Sequence, residues 1–430
     1  MKKLFLTSAF CHLTSSILFS QSYCGSARYD TKVFTTITVT SDVVYGWNKN
    51  VFTQTDTLKM DIYEPTGDTA TIRPLIVMAH GGSFFIGDKT DMSFISTEMA
   101  KRGYVVASIN YRLGVGLPID STSLMKAVWR ATQDMKASVR FFRKDAATAN
   151  RYITDSTMIF IGGASAGGIM AVHYAYLDQN SEIPSIIDTV TLGGLEGNSG
   201  NAGYSSSVKA IVNICGAIAD TCWMQPGDEN MVSLQGNNDT KVPYCSDYVY
   251  LSVFKIMVIH GLGTMAVRAN HIGIYNPTHT FYGQGHGSPG DSINSDTTVV
   301  LASDFLYKQM GCIPTNTLNY TNNPLCLTTL ANTPSCLNLE VEEVQVAGFC
   351  LQVYPNPSNG KIQLISNQYS VISMEVYNVL GKKVYRSPFT DYRLPITIDL
   401  SSQPSGMYFM KCISDKEKVF VTKFLIVKES

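Results

Sequence analysis

The chain has 430 residues, which is enough for two or three domains, and 45% of its residues are hydrophobic and 16% charged. This composition is typical of a globular protein with a sizeable core. The formal net charge is −1 and no long run of lysine or arginine occurs, so a nucleic-acid partner is not expected.

At the N-terminus, two lysines precede a short apolar stretch that is interrupted by Thr, Ser and His12. This is the pattern of a secretory signal peptide, and the stretch is too short and too polar to span a bilayer. We therefore expect residues 1–21 to be a signal peptide. No later stretch approaches about 18 uninterrupted apolar residues, so no stable membrane span is expected either.

The chain has ten cysteines, of which Cys11 belongs to the predicted signal peptide. Export to an oxidising compartment favours disulfides among the others, and their odd number leaves at least one thiol unpaired. The sequence alone does not say which cysteines pair. Four late cysteines are spaced too widely for a zinc site with paired ligands, so no metal is expected there: Cys312, Cys326, Cys336 and Cys350.

Residues 22–311 alternate between β-rich apolar runs and helical patterns. The first two runs, VFTTITVTSDVVYG and TLKMDIYEP, alternate apolar with polar residues, which predicts antiparallel strands at one edge of a sheet. Later runs such as PLIVMAHGG are continuously apolar, and helical patterns such as 123–144 and 295–310 lie between them. Together they predict an α/β domain in which helices cover both faces of a mostly parallel sheet.

The pattern changes after Gly311. Residues 312–348 are rich in Thr, Asn, Pro and Leu with few charges, and we interpret them as a linker. From 349 to 430, short strand patterns separated by turn residues predict a small all-β sandwich. This last segment contains no histidine and its acidic residues are scattered, so nothing in it points to catalysis.

The segment MIFIGGASAGGIMAVHYAYL, residues 158–177, runs apolar, turns on small residues and resumes with helical spacing. Within it, Gly163 to Gly167 fit the G-x-S-x-G motif of a nucleophile elbow between a strand and a helix. In such an elbow the serine, here Ser165, holds an unfavourable backbone conformation that only small neighbours permit. The alternative is a tight strand-to-helix corner that happens to contain a serine.

A nucleophilic serine needs a base, and the base needs a group that orients it. His286, in FYGQGHGSPG, lies on the loop after the last apolar run, where a doubly wound sheet has its site. His279 is the alternative, although its place inside that run favours a structural histidine.

In proteins with a nucleophile elbow of this kind, the acid lies between the serine and the histidine in the chain. We therefore look for it between Ser165 and His286. Asp239 follows the strand MVSLQG, and we expect it to orient the imidazole and offset its charge. Three competitors remain: Asp220 and Asp228 in the polar loop before that strand, and Asp247 at the start of a predicted helix, where it would be an N-cap.

The segment AHGGSFFIG, residues 79–87, follows an apolar strand, and its glycines allow backbone N–H groups to approach a developing oxyanion. We expect these amides to form an oxyanion hole: Gly82, Ser83 and Ala166, with Gly81 as a further candidate. The alternative is a simple glycine turn between a strand and a helix.

These motifs resemble those of the α/β-hydrolase superfamily, in particular its esterase and lipase branch related to carboxylesterases and hormone-sensitive lipase. The likeness covers most of the predicted α/β domain and is carried by HGGSF (80–84), NYRLG (110–114), GASAGG (163–168), GNNDTKVP (236–243) and GQGHG (283–287). It implies the same triad, Ser165, Asp239 and His286. Two positions depart from the family pattern: Ser83 replaces a third glycine, and Gln235 stands where relatives often have histidine.

The tail resembles the type A sorting domain of proteins exported by type IX secretion. The likeness is carried by YPNPSNG (354–360), VYNVLGKKV (376–384), IDLSSQPSGMYFMK (398–411) and the closing KFLIVK. It implies passage through the type IX machinery to the surface or medium of a Gram-negative bacterium. A β-sandwich adhesion module is the alternative.

The sequence therefore predicts an exported serine esterase that forms an acyl-enzyme on Ser165, requires no cofactor, and acts on small-molecule esters or deacylates polysaccharides. A serine peptidase of the same fold and a catalytically inactive surface binding module are the alternatives. Residues 183–207 are polar and glycine-rich, and we expect them to shape the substrate pocket.

Overall fold

The computed structural model describes the chain in these ranges: residues 23–251, 254–315, 319–321, 326, 351–366, 371–378, 382–387, 396–414 and 419–428. The predicted signal peptide, residues 1–21, and most of the predicted linker, residues 312–348, lie outside them. By its internal contacts the chain divides into two compact units, Met1–Pro334 and Ser335–Ser430. Each unit is described by itself.

The strands of the first unit are β1 (Ile37–Lys49), β2 (Thr55–Pro65), β3 (Arg73–Ala79), β4 (Val105–Ile109), β5 (Thr154–Ala164), β6 (Ala210–Ile214), β7 (Asn230–Gly236), β8 (Ser246–Leu251), β9 (Phe254–His260) and β10 (Thr278–Phe281). An eight-stranded sheet has the order β1-β2-β4-β3-β5-β6-β7-β10, and β8 and β9 form a separate hairpin. The pairs β1–β2 and β2–β4 are antiparallel and all other neighbours in the large sheet are parallel. The predicted antiparallel edge of a mostly parallel sheet is confirmed.

The helices are α1 (Ser93–Ala100), α2 (Ser121–Ala147), α3 (Ala166–Tyr176), α4 (Thr189–Leu192), α5 (Leu262–Ile272) and α6 (Ser295–Gln309). Alternate side chains of the central strands enter two apolar cores: Leu75 and Val77 of β3 lie in one, and Ile76 and Met78 in the other. Helices α2, α3 and α5 cover the first core, and α1 and α6 cover the second. Because both faces are covered, every residue of β3 and β4 is buried, which accounts for their mostly apolar sequences.

The two helices expected from the sequence are present. The pattern at 123–144 belongs to α2, which begins after Asp120, and the Asp120 carboxylate accepts a hydrogen bond from the Ser123 amide at 2.8 Å. The Ser123 hydroxyl accepts in turn from the Asp120 amide at 2.9 Å, which completes a capping box. Within the described ranges, no helix combines the length and the apolar character needed to cross a bilayer.

The second unit is built from antiparallel strands in two sheets. One sheet pairs β11 (Leu351–Tyr354), β12 (Lys361–Ser366) and β15 (Ile396–Asp399) in that order. The other has β13 (Val371–Asn378) and β14 (Lys383–Ser387) beside β16 (Gly406–Ser414) and β17 (Val419–Ile426), in the order β14-β13-β16-β17. Residues of both sheets meet in one buried apolar cluster, so the predicted small all-β unit is confirmed.

Two disulfides cross-link distant parts of the first unit. Cys24 pairs with Cys312, which joins the start of the described chain to the residues after α6. Cys245, at the base of the β8–β9 hairpin, pairs with Cys326. These pairs agree with the expectation that export favours disulfides.

We expect the double variant Cys24→Ala/Cys312→Ala to lose about 2–5 kcal/mol of free energy of unfolding, because the cross-link restricts the unfolded chain. Tryptophan fluorescence during denaturant unfolding follows the first unit alone, since that unit contains all three tryptophans: Trp47, Trp129 and Trp223. Cys412→Ala, in the second unit, is the control and should leave this transition unchanged. An unaltered midpoint in the double variant would contradict the expected contribution.

Candidate active site

Ser165 lies at a sharp corner between β5, which ends at Ala164, and α3, which begins at Ala166. Its φ of 56° and ψ of −117° fall in a region that residues with a side chain rarely adopt. Such a corner exposes the serine hydroxyl at the edge of the sheet instead of burying it in the strand or the helix.

Two glycines allow this corner to form. A Cβ on Gly163 would lie 2.6 Å from the carbonyl oxygen of Ala79, and a Cβ on Gly167 would lie 2.1 Å from the same atom. Both distances are far shorter than a van der Waals contact, so β5 and α3 approach β3 this closely only because the two positions have no side chain. The small residues around Ser165 are therefore a packing requirement of the strained corner.

The structure brings Ser165, Asp239 and His286 together. His286 Nε2 lies 2.8 Å from Ser165 Oγ, and His286 Nδ1 lies 2.7 Å from Asp239 Oδ2. Because a carboxylate only accepts, Nδ1–H donates to Asp239, and Nε2 is left as the acceptor for the Ser165 hydroxyl. This is the arrangement expected of a nucleophile, a base and the group that orients the base. Their roles in catalysis stay predictions.

The carboxylate of Asp239 is fully buried and has several donors. Its Oδ1 accepts from the amides of Lys241 at 2.9 Å and Val242 at 3.0 Å, and its Oδ2 also accepts from Gln235 Nε2 at 3.0 Å. Gln235 is itself fully buried on β7, and its Oε1 accepts from the Leu262 amide at 3.1 Å. The sequence marked Gln235 only as a departure from the family pattern, whereas the structure shows that it contacts the candidate acid.

The competing residues have other surroundings. Asp220 caps a short 3₁₀ helix by accepting from the Cys222 amide at 2.8 Å, and Asp228 accepts from the Gln225 amide at 2.7 Å. His279 lies in β10. The prediction that Asp247 caps a helix is wrong, because it lies in β8 of the hairpin.

The glycine-rich segment after β3 folds back on itself beside Ser165. Gly82 has φ +108°, and a Cβ there would lie 1.9 Å from the Ile86 carbonyl oxygen. Ser83 follows with φ 54°, a left-handed conformation that a third glycine would adopt more easily. A Cβ on Gly81 would lie 3.2 Å from Ser165 Cβ, so the segment passes close to the serine.

The candidate oxyanion donors lie in this segment and at the start of α3. Within the described chain, the amides of Gly82 and Ser83 donate to no other residue. Ala166 is the first residue of α3, where backbone N–H groups have no partner inside the helix. These amides are therefore available to a negatively charged oxygen bound next to Ser165.

A cavity of about 520 Å³, the main pocket, opens at Ser165 and His286. Its walls are mostly apolar, and helix α2 contributes Leu124, Met125 and Val128. Among the lining residues only Lys241 has a permanently charged side chain. The pocket therefore suits a group that is apolar over most of its surface.

A second cavity of about 310 Å³ also reaches Ser165 and His286, and Cys215 lies in its wall. The Cys215 thiol donates to the His286 carbonyl oxygen at 3.2 Å, and burial raises the pKa of this thiol. One potential metal-ligand atom each of Cys215, Asp239 and His286 lies within 4.8 Å of the others. In the structure, however, the Asp239 carboxylate and the His286 ring are hydrogen-bonded to each other.

The expectation that residues 183–207 shape the substrate pocket is wrong: none of them lines either cavity. The segment packs instead along α2 and supplies partners to its polar side chains. Arg140 forms an ion pair with Glu196 at 2.9 Å, and Gln133 Nε2 donates to the Gly194 carbonyl at 2.8 Å. Buried polar side chains need such partners, which accounts for the polar composition of the segment.

The β8–β9 hairpin lines the main pocket and was missed by the sequence analysis. It contributes Val249, Met257 and Ile259 to the wall. The signal was present as two short apolar runs that lie close together in the chain, YVYL and FKIMVIH. At the base of the hairpin, the hydroxyl of Ser246 is hydrogen-bonded to His260 Nδ1 at 2.8 Å.

His173 is another residue of the main pocket, and it lies on α3 two turns beyond Ser165. Only 2% of its surface is exposed. Its Nδ1 lies 2.8 Å from the Ile169 carbonyl oxygen, to which it donates. Burial lowers the pKa of His173 to about 4, so the ring is neutral at physiological pH.

We expect Gly167→Ala to reduce the yield of folded protein, because the added methyl group would meet the Ala79 carbonyl at 2.1 Å. Forcing extra volume into such a contact typically destabilises by about 1–3 kcal/mol. Gly194→Ala is the matched control, since a Cβ at that position meets nothing within 4 Å. Denaturant unfolding of both variants tests the expectation, and equal stability would contradict it.

The depressed pKa of His173 predicts a dependence of stability on pH. Between pH 6.5, its ordinary pKa, and about pH 4, the unfolded chain binds a proton at this residue and the folded chain does not, so stability falls as the pH falls. A shift of this size corresponds to about 3 kcal/mol. In denaturant unfolding at pH 7 and pH 4.5, His173→Phe should therefore lose less stability than the wild type. His271→Gln, at an exposed position, should behave as the wild type; parallel losses in all three proteins would refute the assignment.

Two parts of the chain match known protein families. Residues 60–231 match the BD-FAE family model, and residues 352–428 match the model of the secretion system C-terminal sorting domain. Among curated proteins, the chain is 31% identical over 116 residues to the cAMP-regulated D2 protein of Dictyostelium discoideum and 32% identical over 117 residues to Carboxylesterase 3B of Mus musculus. Each match covers 27% of this chain, but only 21% and 20% of the relatives, so the chain spans about a fifth of their length.

Among solved structures, a thermophilic esterase of Thermogutta terrifontis with bound propionate is similar to this chain. The two are 21% identical with a TM-score of 0.46, and the match covers 62% of this chain and 93% of that one. The family matches identify both units, and the order of the central sheet agrees with the match of the first unit. The chain contains an esterase-type α/β-hydrolase domain, matched by the BD-FAE family model, and a C-terminal sorting domain of type IX secretion.

Proposed function

We propose that this protein is an exported serine esterase that hydrolyses carboxylic esters through an acyl-enzyme on Ser165. The observation that supports this most directly is the pair of hydrogen bonds that joins Ser165 Oγ to His286 at 2.8 Å and His286 to Asp239 at 2.7 Å. The match to an esterase-type domain supports the same class of reaction.

In the proposed mechanism, Ser165 Oγ attacks the acyl carbon while His286 Nε2 takes the hydroxyl proton, which produces a tetrahedral oxyanion. Collapse of this intermediate breaks the bond to the alcohol oxygen, and His286 returns the proton to the leaving alcohol. Water then attacks the acyl-enzyme with His286 again as base, and the carboxylic acid leaves as Ser165 regains its proton. Asp239 holds Nδ1–H and offsets the charge that the imidazole gains.

The oxyanion hole is the second part of the proposal. The amides of Gly82, Ser83 and Ala166 would stabilise the oxyanion, with that of Gly81 as a further donor. Their lack of other acceptors among the described residues supports this role. One such donor typically contributes about 10²–10³ in rate, because it points at charge that develops only in the transition state.

The substrate class is proposed from the pockets. The main pocket and the second cavity both begin at Ser165, as the two sides of an ester require. We propose small-molecule or polysaccharide esters, with deacylation of polysaccharides as a reaction that fits an exported enzyme. No step of the proposed mechanism requires a metal or organic cofactor.

Export and domain organisation complete the proposal. The sorting domain indicates type IX secretion to the cell surface or beyond, with that machinery as a partner. We propose residues 1–21 as a signal peptide and 22–311 as the catalytic domain of a Gram-negative bacterial protein. Residues 312–348 would be the linker, and 349–430 the sorting β-sandwich.

We expect Ser165→Ala to lower the hydrolysis of p-nitrophenyl acetate by about 10⁴-fold or more, because it removes the nucleophile. Labelling of the folded protein by a fluorophosphonate probe should disappear in the same variant. Ser181→Ala is the control, because Ser181 lies on an exposed 3₁₀ turn away from both pockets, and it should keep full activity and labelling.

Two results would reject the proposal. If folded wild-type protein is neither labelled nor active on any ester of a graded chain-length series, the inactive binding module is favoured. If labelling depends on Ser165 but only peptide substrates turn over, the peptidase alternative is favoured.

A further inference from the structure

The motif NYRLG, residues 110–114, follows β4 directly and has no part in the proposed mechanism. The structure bonds it at both of its ends to the chain around the glycine-rich segment that follows β3. At one end, Asn110 Oδ1 accepts from the amide of Lys89, just after that segment, at 2.6 Å. At the other end, the Gly114 amide donates to the Phe84 carbonyl at 2.7 Å. The motif is therefore placed to support the segment.

The motif is itself fixed to helix α2. Arg112 is buried, and its guanidinium forms an ion pair with the Asp134 carboxylate of α2 at 2.8 Å. The Arg112 amide donates to the same carboxylate at 2.8 Å, and Arg112 Nη2 donates to the Arg130 carbonyl at 3.0 Å. Hydrogen bonds to charged groups are the strong ones, and these are buried. They hold the backbone directly after Tyr111.

The buried side chain of Tyr111 reaches two consecutive backbone carbonyls of the segment. Its hydroxyl donates to the His80 carbonyl at 3.0 Å and, at the longer distance of 3.4 Å, to that of Gly81. His80 Nδ1 lies 2.7 Å from the same Gly81 oxygen, and because a carbonyl only accepts, Nδ1–H donates to it. The rings of His80 and Tyr111 are stacked, with centroids 4.5 Å apart. Two stacked, buried rings thus hold both carbonyls.

Holding these carbonyls also orients two candidate oxyanion donors. The carbonyl of His80 shares a peptide unit with the Gly81 amide, and the carbonyl of Gly81 shares one with the Gly82 amide. Neither peptide bond is cis, so each N–H points opposite to its C=O and away from the bonds to the rings. Gly82 lines the main pocket, whereas His80 and Tyr111 line neither cavity, which agrees with an amide directed toward the pocket.

The segment needs such support because its backbone is strained. Gly82, Ser83 and Phe84 have φ values of 108°, 54° and 65°, so three successive residues lie in the range that favours glycine. Residues with a side chain adopt this range at a cost in free energy, and they keep it only where the surroundings over-determine it. The bonds from Tyr111 and Gly114 lie on either side of these three residues and supply that constraint.

We propose that Tyr111 is a positioning residue for the oxyanion hole: its hydroxyl, together with His80 Nδ1, fixes and polarises the two peptide units whose N–H groups stabilise the oxyanion. The proposal rests on the proposed esterase function. A hydrogen bond accepted by the carbonyl of a peptide strengthens the N–H of that peptide as a donor, because linked hydrogen bonds polarise one another. Tyr111 lines neither cavity, so it acts through the backbone and not on the substrate.

Tyr111→Phe tests the proposal, since it keeps the ring and removes only the oxygen. With p-nitrophenyl acetate we expect kcat and kcat/KM to fall together by about 10-fold with KM unchanged, because the alignment matters only once the oxyanion forms. Complete loss of one donor costs more, about 10²–10³. Tyr104→Phe is the matched control and should keep wild-type kinetics: Tyr104 is buried in the other core, and its hydroxyl also donates to a backbone carbonyl, that of Tyr29 at 3.2 Å.

A trifluoromethyl ketone supplies a readout that a general loss of stability would not change. Ser165 Oγ adds to the ketone carbon, its proton passes to His286, and the π electron pair of the carbonyl becomes the oxyanion of a hemiketal. This adduct resembles the transition state, so its stability reports the oxyanion hole. The Ki of 2-phenylethyl trifluoromethyl ketone should rise by about 10-fold in Tyr111→Phe, in step with the fall in kcat/KM, and stay unchanged in Tyr104→Phe.

Two variants of His80 separate its donor from its ring. Asparagine has an N–H as many bonds from the backbone as His80 Nδ1, so His80→Asn should retain most of the activity. His80→Leu removes the donor to the Gly81 carbonyl and should lower kcat/KM by about 10- to 100-fold. If Tyr111→Phe does not fold, this pair provides the same test, with the Ki of the ketone again following kcat/KM.

Several outcomes would overturn the proposal. Wild-type kcat/KM in Tyr111→Phe rejects it, and so does an unchanged Ki of the ketone beside a lower kcat. An equal loss of activity in Tyr104→Phe assigns the effect to stability instead. If hydrolysis depends on Ser165 but not on the Tyr111 hydroxyl, only this inference fails, whereas a wild type that hydrolyses no ester removes the proposed function and this inference with it.

Discussion

The strained corner at Ser165 is the constraint on which the rest of the site depends. Its positive φ is maintained because Gly163 and Gly167 lie directly against the carbonyl oxygen of Ala79, so β5, β3 and α3 meet at one point. That contact sets the direction of the Ser165 hydroxyl and brings the first amide of α3 beside it. Such a conformation costs about 1–3 kcal/mol and persists only where the surroundings over-determine it, as the fully buried strand β3 does here.

Burial of the Asp239 carboxylate organises the charges around this corner. A carboxylate removed from water needs other donors, and two backbone amides, the Gln235 side chain and the His286 ring supply them. The same bonds decide which nitrogen of His286 has the hydrogen, so that the other faces Ser165 as an acceptor. Gln235 contacts the Asp239 carboxylate and nearby backbone groups, but it does not contact Ser165.

The apolar and polar sides of helix α2 contact different parts of the protein. Its apolar side faces the main pocket together with the β8–β9 hairpin, so the pocket has an apolar wall on two sides. Its polar side chains, Arg140 and Gln133 among them, bind the segment 183–207 instead. The hairpin lies outside the central sheet, and the disulfide Cys245–Cys326 holds its base.

The sequence by itself determined the features that local spacing specifies. The strand–corner–helix around Ser165, the glycine segment after β3, and the positions of Asp239 and His286 after strands could all be predicted, because parallel strands present their carboxyl ends at one edge. The pocket could not be predicted. Residues 183–207 were expected in its wall, the hairpin was missed, and Asp247 was assigned to a helix that does not exist.

Only the tertiary structure decided these points. It alone also gives the disulfide pairs and the surroundings of His173. A short apolar run such as FKIMVIH is compatible with a helix or a strand, and its antiparallel pairing with β8 decides between them. Which polar segment covers which helix depends on contacts between residues far apart in the chain. The spacing of apolar and polar residues along the chain does not predict those contacts.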